Sequence, residues 1–129
     1  MKAETIVKYE GSPPCSGPYS LAVQATGKFL FVAGHGPWNP QTKQFERGTI
    51  GEQTRLTLDG IKRTIEAAGG KIENAVSCRV YLQPLNAGTF GEMNEVYQRY
   101  WPQDRPARAT VGTQLLGIDV EIECVVVMD

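Results

Sequence analysis

Apolar and polar positions change period several times along this chain, and each change predicts an element. Residues 4–9 (ETIVKY) alternate weakly, as an edge strand does. In YSLAVQAT, 19–26, Tyr19, Leu21 and Val23 alternate with polar or small residues and predict a half-buried strand. KFLFVA, 28–33, is nearly all apolar and predicts a strand buried on both sides, entered through a turn at Gly27. GHGPWNPQTKQFERG then predicts a long polar loop. The period shifts to that of a helix where Leu58, Ile61, Ile65 and Ala68 line one face, over about Gly51 to Ala68, with Gly69-Gly70 as the stop. AVSCRVYL, 75–82, reads as a strand. Phe90, Met93, Tyr97 and Tyr100 mark a second helix from about Thr89 to Tyr100, ended before Pro102. Two strands follow, Ala107–Leu115 and Asp119–Met128, joined by a short turn at Gly117.

The resulting order, β-β-β-α-β-α-β-β, requires at least one parallel, right-handed crossover. Two helices are too few to cover both faces of a mixed five- or six-stranded sheet. They are expected on one face, as a two-layer α+β domain spanning 1–129. In the last strand Val120, Ile122, Cys124, Val126 and Met128 point to the core, while Glu121, Glu123, Val125 and Val127 point the other way. Valines on that second face predict burial against other copies of the chain. In the strand before it, Arg108 shares a face with Thr110 and Gly112, opposite Ala107, Ala109 and Val111. The alanine–valine side suits the core, so Arg108 is expected on the uncovered face, with Glu121 and Glu123 across one hairpin. A charge near a dry surface needs a partner. Arg108 either pairs with Glu121 or Glu123 or waits for a ligand carboxylate, which its planar fork suits. Spacing leaves both open, with the ion pair the simpler.

Composition narrows the function. Hydrophobic residues are 41%, charged residues 21%, and net charge is −1, with thirteen Lys and Arg against fourteen Asp and Glu. No basic stripe occurs, which argues against nucleic acid or an anionic membrane as partner. The three cysteines, Cys15, Cys78 and Cys124, form no C-x-x-C, so neither a disulfide framework nor a metal site is expected. Cys78 and Cys124 read as buried hydrophobes. Cys15, in the loop GSPPCSGP, is the one candidate reactive thiol but has no basic neighbour in sequence. The beginning MKAETIVKYEG has no signal-peptide core and no apolar run is long enough to span a bilayer, so a soluble cytoplasmic protein is expected.

SGPYS (16–20), FLFVAGHGPWNP (29–40), EAAGG (66–70), PARATV (106–111) and VEIE (120–123) together resemble the Rid/YjgF family, the reactive intermediate deaminases. The match runs in order from about Ser16 to Val127. The resemblance implies a chorismate-mutase-like subunit, a homotrimer whose sheets form a central barrel, and clefts between subunits. It implies hydrolysis of enamine/imine intermediates such as 2-aminoacrylate to 2-keto acids and ammonia, with no cofactor or metal. By the same resemblance Arg108 binds the substrate carboxylate and Glu121 handles the attacking water. Tyr19, Ala33, Gly34, Thr110 and Asn94 line the substrate site, with Asn94 in a supporting hydrogen-bond role. The chain departs from the family pattern at Ala33-Gly34-His35, where Ser-Gly-Gln is common, and at Thr110, where Cys is common. These departures bear on which substrate is used. A deaminase specialised for another catabolic enamine, of an aminomuconate or ureido-derived kind, and a non-catalytic trimeric carboxylate binder are the alternatives. His35, the lone histidine, is an ordinary loop residue or an aid to proton transfer.

Overall fold

A computed structural model describes residues 3–128. The elements are β1 (Ala3–Ile6), β2 (Ala22–Ala25), β3 (Lys28–His35), β4 (Trp38–Asn39), β5 (Gln44–Phe45), α1 (Ile50–Ala67), β6 (Ala75–Leu82), α2 (Ala87–Tyr97), β7 (Ala107–Gly112) and β8 (Val120–Met128). A single 3-10 turn, Ile72–Asn74, leads into β6.

Each helix starts on a side-chain cap. Thr49 Oγ1 accepts from the Glu52 amide at 3.1 Å, and the Glu52 carboxylate accepts from the Thr49 amide at 3.1 Å. Asn86 and Thr89 form the same reciprocal pair at α2. The end of α1 is the expected one: Gly69 takes φ +86, open to glycine, and the Gly70 amide reaches back to the Ile65 carbonyl at 3.0 Å.

The main sheet has the order β3-β8-β6-β7, with β6 and β7 parallel and the other pairs antiparallel. The parallel crossover is thus the β6-α2-β7 unit. β1 and β2 form a hairpin that meets the β7 edge through one bridge, Ser20 to Ala107. The polar loop before α1 contains a further small hairpin, β4–β5, that its sequence concealed. Both helices pack on one face. Leu58, Ile61 and Ile65 of α1 and Met93 and Tyr97 of α2 meet Val32, Cys78, Val80, Leu82, Val120, Ile122, Cys124 and Val126 of the sheet. Ala68, expected on the α1 stripe, is instead the exposed C-cap.

Three expectations are corrected. First, β7 and β8 are not a hairpin, because β6 lies between them. Second, Arg108 does not share a face with Glu121. It is in register with Cys78, and Cys78 with Cys124, so it lies on the helix-covered face at the sheet edge. Ala107, Ala109 and Val111 take the open face. Small side chains had suggested a core, but the face was decided by parallel pairing with β6, a long-range contact. Third, β3 is not buried on both sides. Phe29 and Phe31 stand on the open face opposite Val127 and Val125, and Phe31 is 78% exposed in the single chain.

Candidate functional site

Arg108 sits where β7 passes beneath α2, a half-buried side chain ringed by aromatic faces. Its guanidinium carbon lies 4.8 Å from the Tyr97 ring centre, 5.2 Å from that of Tyr19 and 5.6 Å from that of Phe90. These contacts stabilise a cation without neutralising it. Among the described residues its side chain makes one hydrogen bond, a weak one to Met93 Sδ at 3.8 Å. No carboxylate pairs with it among the described residues. The ion pair with Glu121 or Glu123 is therefore absent: Glu123 accepts from the Tyr81 hydroxyl at 2.5 Å on the opposite face. Burial pushes the Arg108 pKa down, with the neighbouring Tyr97 and Tyr19 opposing. A guanidinium remains charged under such a shift.

The approach to Arg108 is kept open by Gly17. A methyl group there would stand 2.7 Å from Arg108 Nη2 and 3.1 Å from Asn94 Nδ2. Asn94 thus joins Arg108 around one spot. Its Oδ1 and the Oγ1 of Thr110 are buried and have no hydrogen-bond partner among the described residues. Unsatisfied buried polar atoms are costly, and ones beside a free cation invite a polar ligand. Tyr19 closes the outer side. Its hydroxyl accepts from the Ser16 amide at 3.1 Å and lies 3.0 Å from Ser16 Oγ, which fixes the ring. Ser16, Tyr19, Phe90, Arg108 and Thr110 line a cavity of about 130 Å³, the scale of a very small ligand.

The remaining predicted residues form a second group. Gly34 lies against Glu121, since a Cβ at Gly34 would collide with Glu121 Oε2. Ala33 is the neighbouring residue of β3. This group is on the open face, with Glu121 two strands from β7 and Ala33 and Gly34 three, so it is roughly 10 Å or more across the sheet and on its other side. One chain therefore brings Arg108, Tyr19, Asn94 and Thr110 together, and separately Ala33, Gly34 and Glu121. His35 joins neither group. It pairs with Ile122, a core-face residue, and turns towards α1. Arg105 donates to the carbonyls of Trp101 at 2.8 Å and Pro102 at 3.5 Å, as a structural loop residue.

Sequence reading missed Phe90, Met93 and Tyr97 as neighbours of the arginine, having assigned them to the core face of the second helix. They serve both purposes. It also missed Gly17, for which the sole signal was its place in a Gly-Pro-Tyr turn. Cys78 and Cys124 are buried and reduced, their sulfurs 3.0 Å apart, and Cys15 lies 3.9 Å from the Val7 carbonyl.

Comparison with known proteins bears on the family and the fold. A RutC family protein of Pyrococcus horikoshii is 42% identical over 118 residues, covering 92% of this chain and 91% of the relative. The crystal structure of TdcF from E. coli with bound serine has a TM-score of 0.71 at 27% identity, covering 98% of this chain and all of the other. A Yersinia pestis protein of the conserved Rid family shares the fold with a TM-score of 0.87 at 22% identity, covering 99% of this chain and 100% of that one. The family described as endoribonuclease L-PSP matches residues 10–128, and the chain with its two helices on a mixed sheet belongs to that family, the Rid/YjgF proteins.

Proposed function

We propose that the protein hydrolyses small 2-imino acids of the 2-aminoacrylate type to 2-keto acids and ammonia, at sites completed by association into a trimer. The observation that carries this reading is Arg108: a half-buried guanidinium with no counter-anion among the described residues, beside buried polar atoms of Asn94 and Thr110 that lack partners among them. Such a cation gains most from a carboxylate that arrives and completes it, at roughly 1.5–3 kcal/mol per charge-assisted hydrogen bond. The small cavity and the serine bound in the related TdcF both favour an amino-acid-sized carboxylate.

The chemistry follows from what this hold provides. Arg108 fixes the carboxylate and so places the adjacent C=N carbon, while Tyr19 and Phe90 keep bulk water away. Water adds to that carbon, and the carbinolamine collapses to C=O with loss of ammonia. Water loses one proton on addition and the carbinolamine hydroxyl loses the second on collapse, and nitrogen gains one proton at each stage to leave as ammonia. Glu121 suits both transfers. It cannot reach a substrate held by Arg108 of its own chain, because the two lie on opposite faces of the sheet. Glu121, with the close-approaching Gly34 and Ala33, therefore comes from a neighbouring copy. Phe29, Phe31 and Val111, exposed on the open face, are the apolar surface that such association covers. The cytoplasm, where dehydratases would release such imines, suits this role.

The test is a coupled assay in which a pyridoxal-phosphate dehydratase generates 2-aminoacrylate and imine loss is followed with and without the protein. Acceleration that Arg108→Ala lowers by about a hundredfold supports the reading. No acceleration by the wild type, or full acceleration by the variant, sinks it. The family's descriptive name makes RNA cleavage the second reading. Net charge −1, and a histidine at the sheet edge away from Arg108, speak against it. RNA left intact by highly purified protein would dispose of it.

A further inference from the structure

A second cleft lies between α1 and the β4–β5 hairpin, at the β3 edge of the sheet, far from β7. It encloses about 460 Å³. Its walls are Trp38 and Phe45, packed edge to face with ring centres 5.1 Å apart, and both are substantially exposed. Its floor is Gly60, buried in mid-helix. A Cβ at Gly60 would lie 3.6 Å from Arg63 Nη2 and 3.6 Å from His35 Cδ2, so the missing side chain leaves a space bounded by a guanidinium and an imidazole edge. Gly in a helix interior costs roughly 1 kcal/mol relative to Ala, and here that vacancy shapes the cleft.

The polar groups are arranged as well as the apolar ones. His35 Nδ1 is 2.7 Å from the Ala33 carbonyl, which can only accept, so Nδ1 carries a proton. In the neutral ring Nε2 then accepts from the Thr64 hydroxyl at 2.8 Å. His35 is thereby held as a fixed wall. Arg63 has no ion-pair partner among the described residues. The cleft therefore offers one cation and an aromatic rim, the profile of a small-molecule site with a single orienting charge.

We propose that this cleft binds a small aromatic carboxylate, its ring against Trp38 and Phe45 and its carboxylate on the Arg63 fork. One guanidinium balances one carboxylate, whereas a phosphate dianion would need further positive charge that the lining does not supply. The cleft shares no lining residue with the Arg108 cavity of its own chain, but Gly34, which the proposed reaction places beside Glu121, stands on its rim, so ligand binding here is read separately from imine hydrolysis.

Trp38 makes the proposal measurable, because the other tryptophan, Trp101, is buried and bonded to the Ile72 carbonyl. Titration of the intact protein with phenylacetate through the millimolar range is expected to give a saturable change in tryptophan emission, lost in Trp38→Phe. Phenylacetamide and the variant Arg63→Gln should each bind about tenfold more weakly or worse. Gly60→Leu, which fills the floor, should abolish the change, and Arg108→Ala should leave it intact. The proposal is overturned by an absent or non-saturable response, as it would be if another copy covered the cleft. Equal binding of phenylacetamide, undiminished binding to Arg63→Gln, or loss of the signal in Arg108→Ala would also overturn it.

Discussion

Arg108 shows how much one side chain's meaning depends on its neighbours. Strand alternation correctly set it apart from Ala107, Ala109 and Val111, but which side faced the helices depended on pairing with β6. In place it is a cation surrounded by rings, and the residue that keeps access to it open is Gly17. Gly17→Ala puts a methyl group 2.7 Å from Arg108 Nη2, so the guanidinium must shift. We expect kcat/KM for imine hydrolysis to fall about tenfold with little change in Tm, because the displaced group is a side-chain end rather than a core contact. An unchanged kcat/KM would show that Arg108 has room to spare.

Among the elements, the helices were legible because their apolar spacing and stop signals are local. Leu58, Ile61 and Ile65 face the sheet as their period requires. The β4–β5 hairpin was not legible, because two-residue strands have no period to read. Nor was the anchor of the β7–β8 connection. Asp119 accepts from Gln53 Nε2 at 2.9 Å and from Arg47 Nη2 at 2.8 Å, while its amide donates to Gln53 Oε1 at 2.8 Å. These contacts tie the start of β8 to the first turn of α1. The Arg47 hydrogen bond, joined by those of Gln53 and Gln83, holds the Asp119 carboxyl below its usual range. A carboxyl depressed in the folded state stabilises it above the unfolded pKa, and that stabilisation is lost as pH falls through the folded value. Arg47 is the largest cause, screened by its exposure to solvent, and the bond from buried Gln53 adds to it. Asp119→Asn should cost roughly 1–2 kcal/mol at neutral pH. The gap between variant and wild type in denaturant melts should then close as pH drops below about 4. A gap that is constant with pH would mean that the charge contributes nothing.

At the scale of the whole molecule, the proposed site is divided between two faces of one sheet. This division makes a sharp prediction. Arg108→Ala and Glu121→Gln should each be inactive alone, yet coexpressed chains should regain about a quarter of the wild-type activity. In a random cyclic assembly that is the share of interfaces that combine an intact Arg108 with an intact Glu121. Absence of recovery, with mixed assembly confirmed by mass, would place both residues in one chain's site or remove one from it. Phe31, 78% exposed on the open face, should be central to association. Phe31→Asp is expected to shift light scattering from trimer to monomer and to remove activity with it. A wild-type chain that is already monomeric at micromolar concentration would end the shared-site reading.

The sequence by itself determined what depends on neighbours within a few residues: the helices, the approximate strands, the helix stops, and the alternation that makes Arg108 and Glu121 conspicuous. Its motifs also carried the family. The tertiary structure alone decided that β6 separates β7 from β8, that Arg108 faces the helices while Glu121 faces away, and that His35 and Arg63 meet around the floor left by Gly60. The physical reason is the same in each case. Periodicity records that two faces differ, but strand pairing and packing, which join residues far apart in the chain, determine what each face meets.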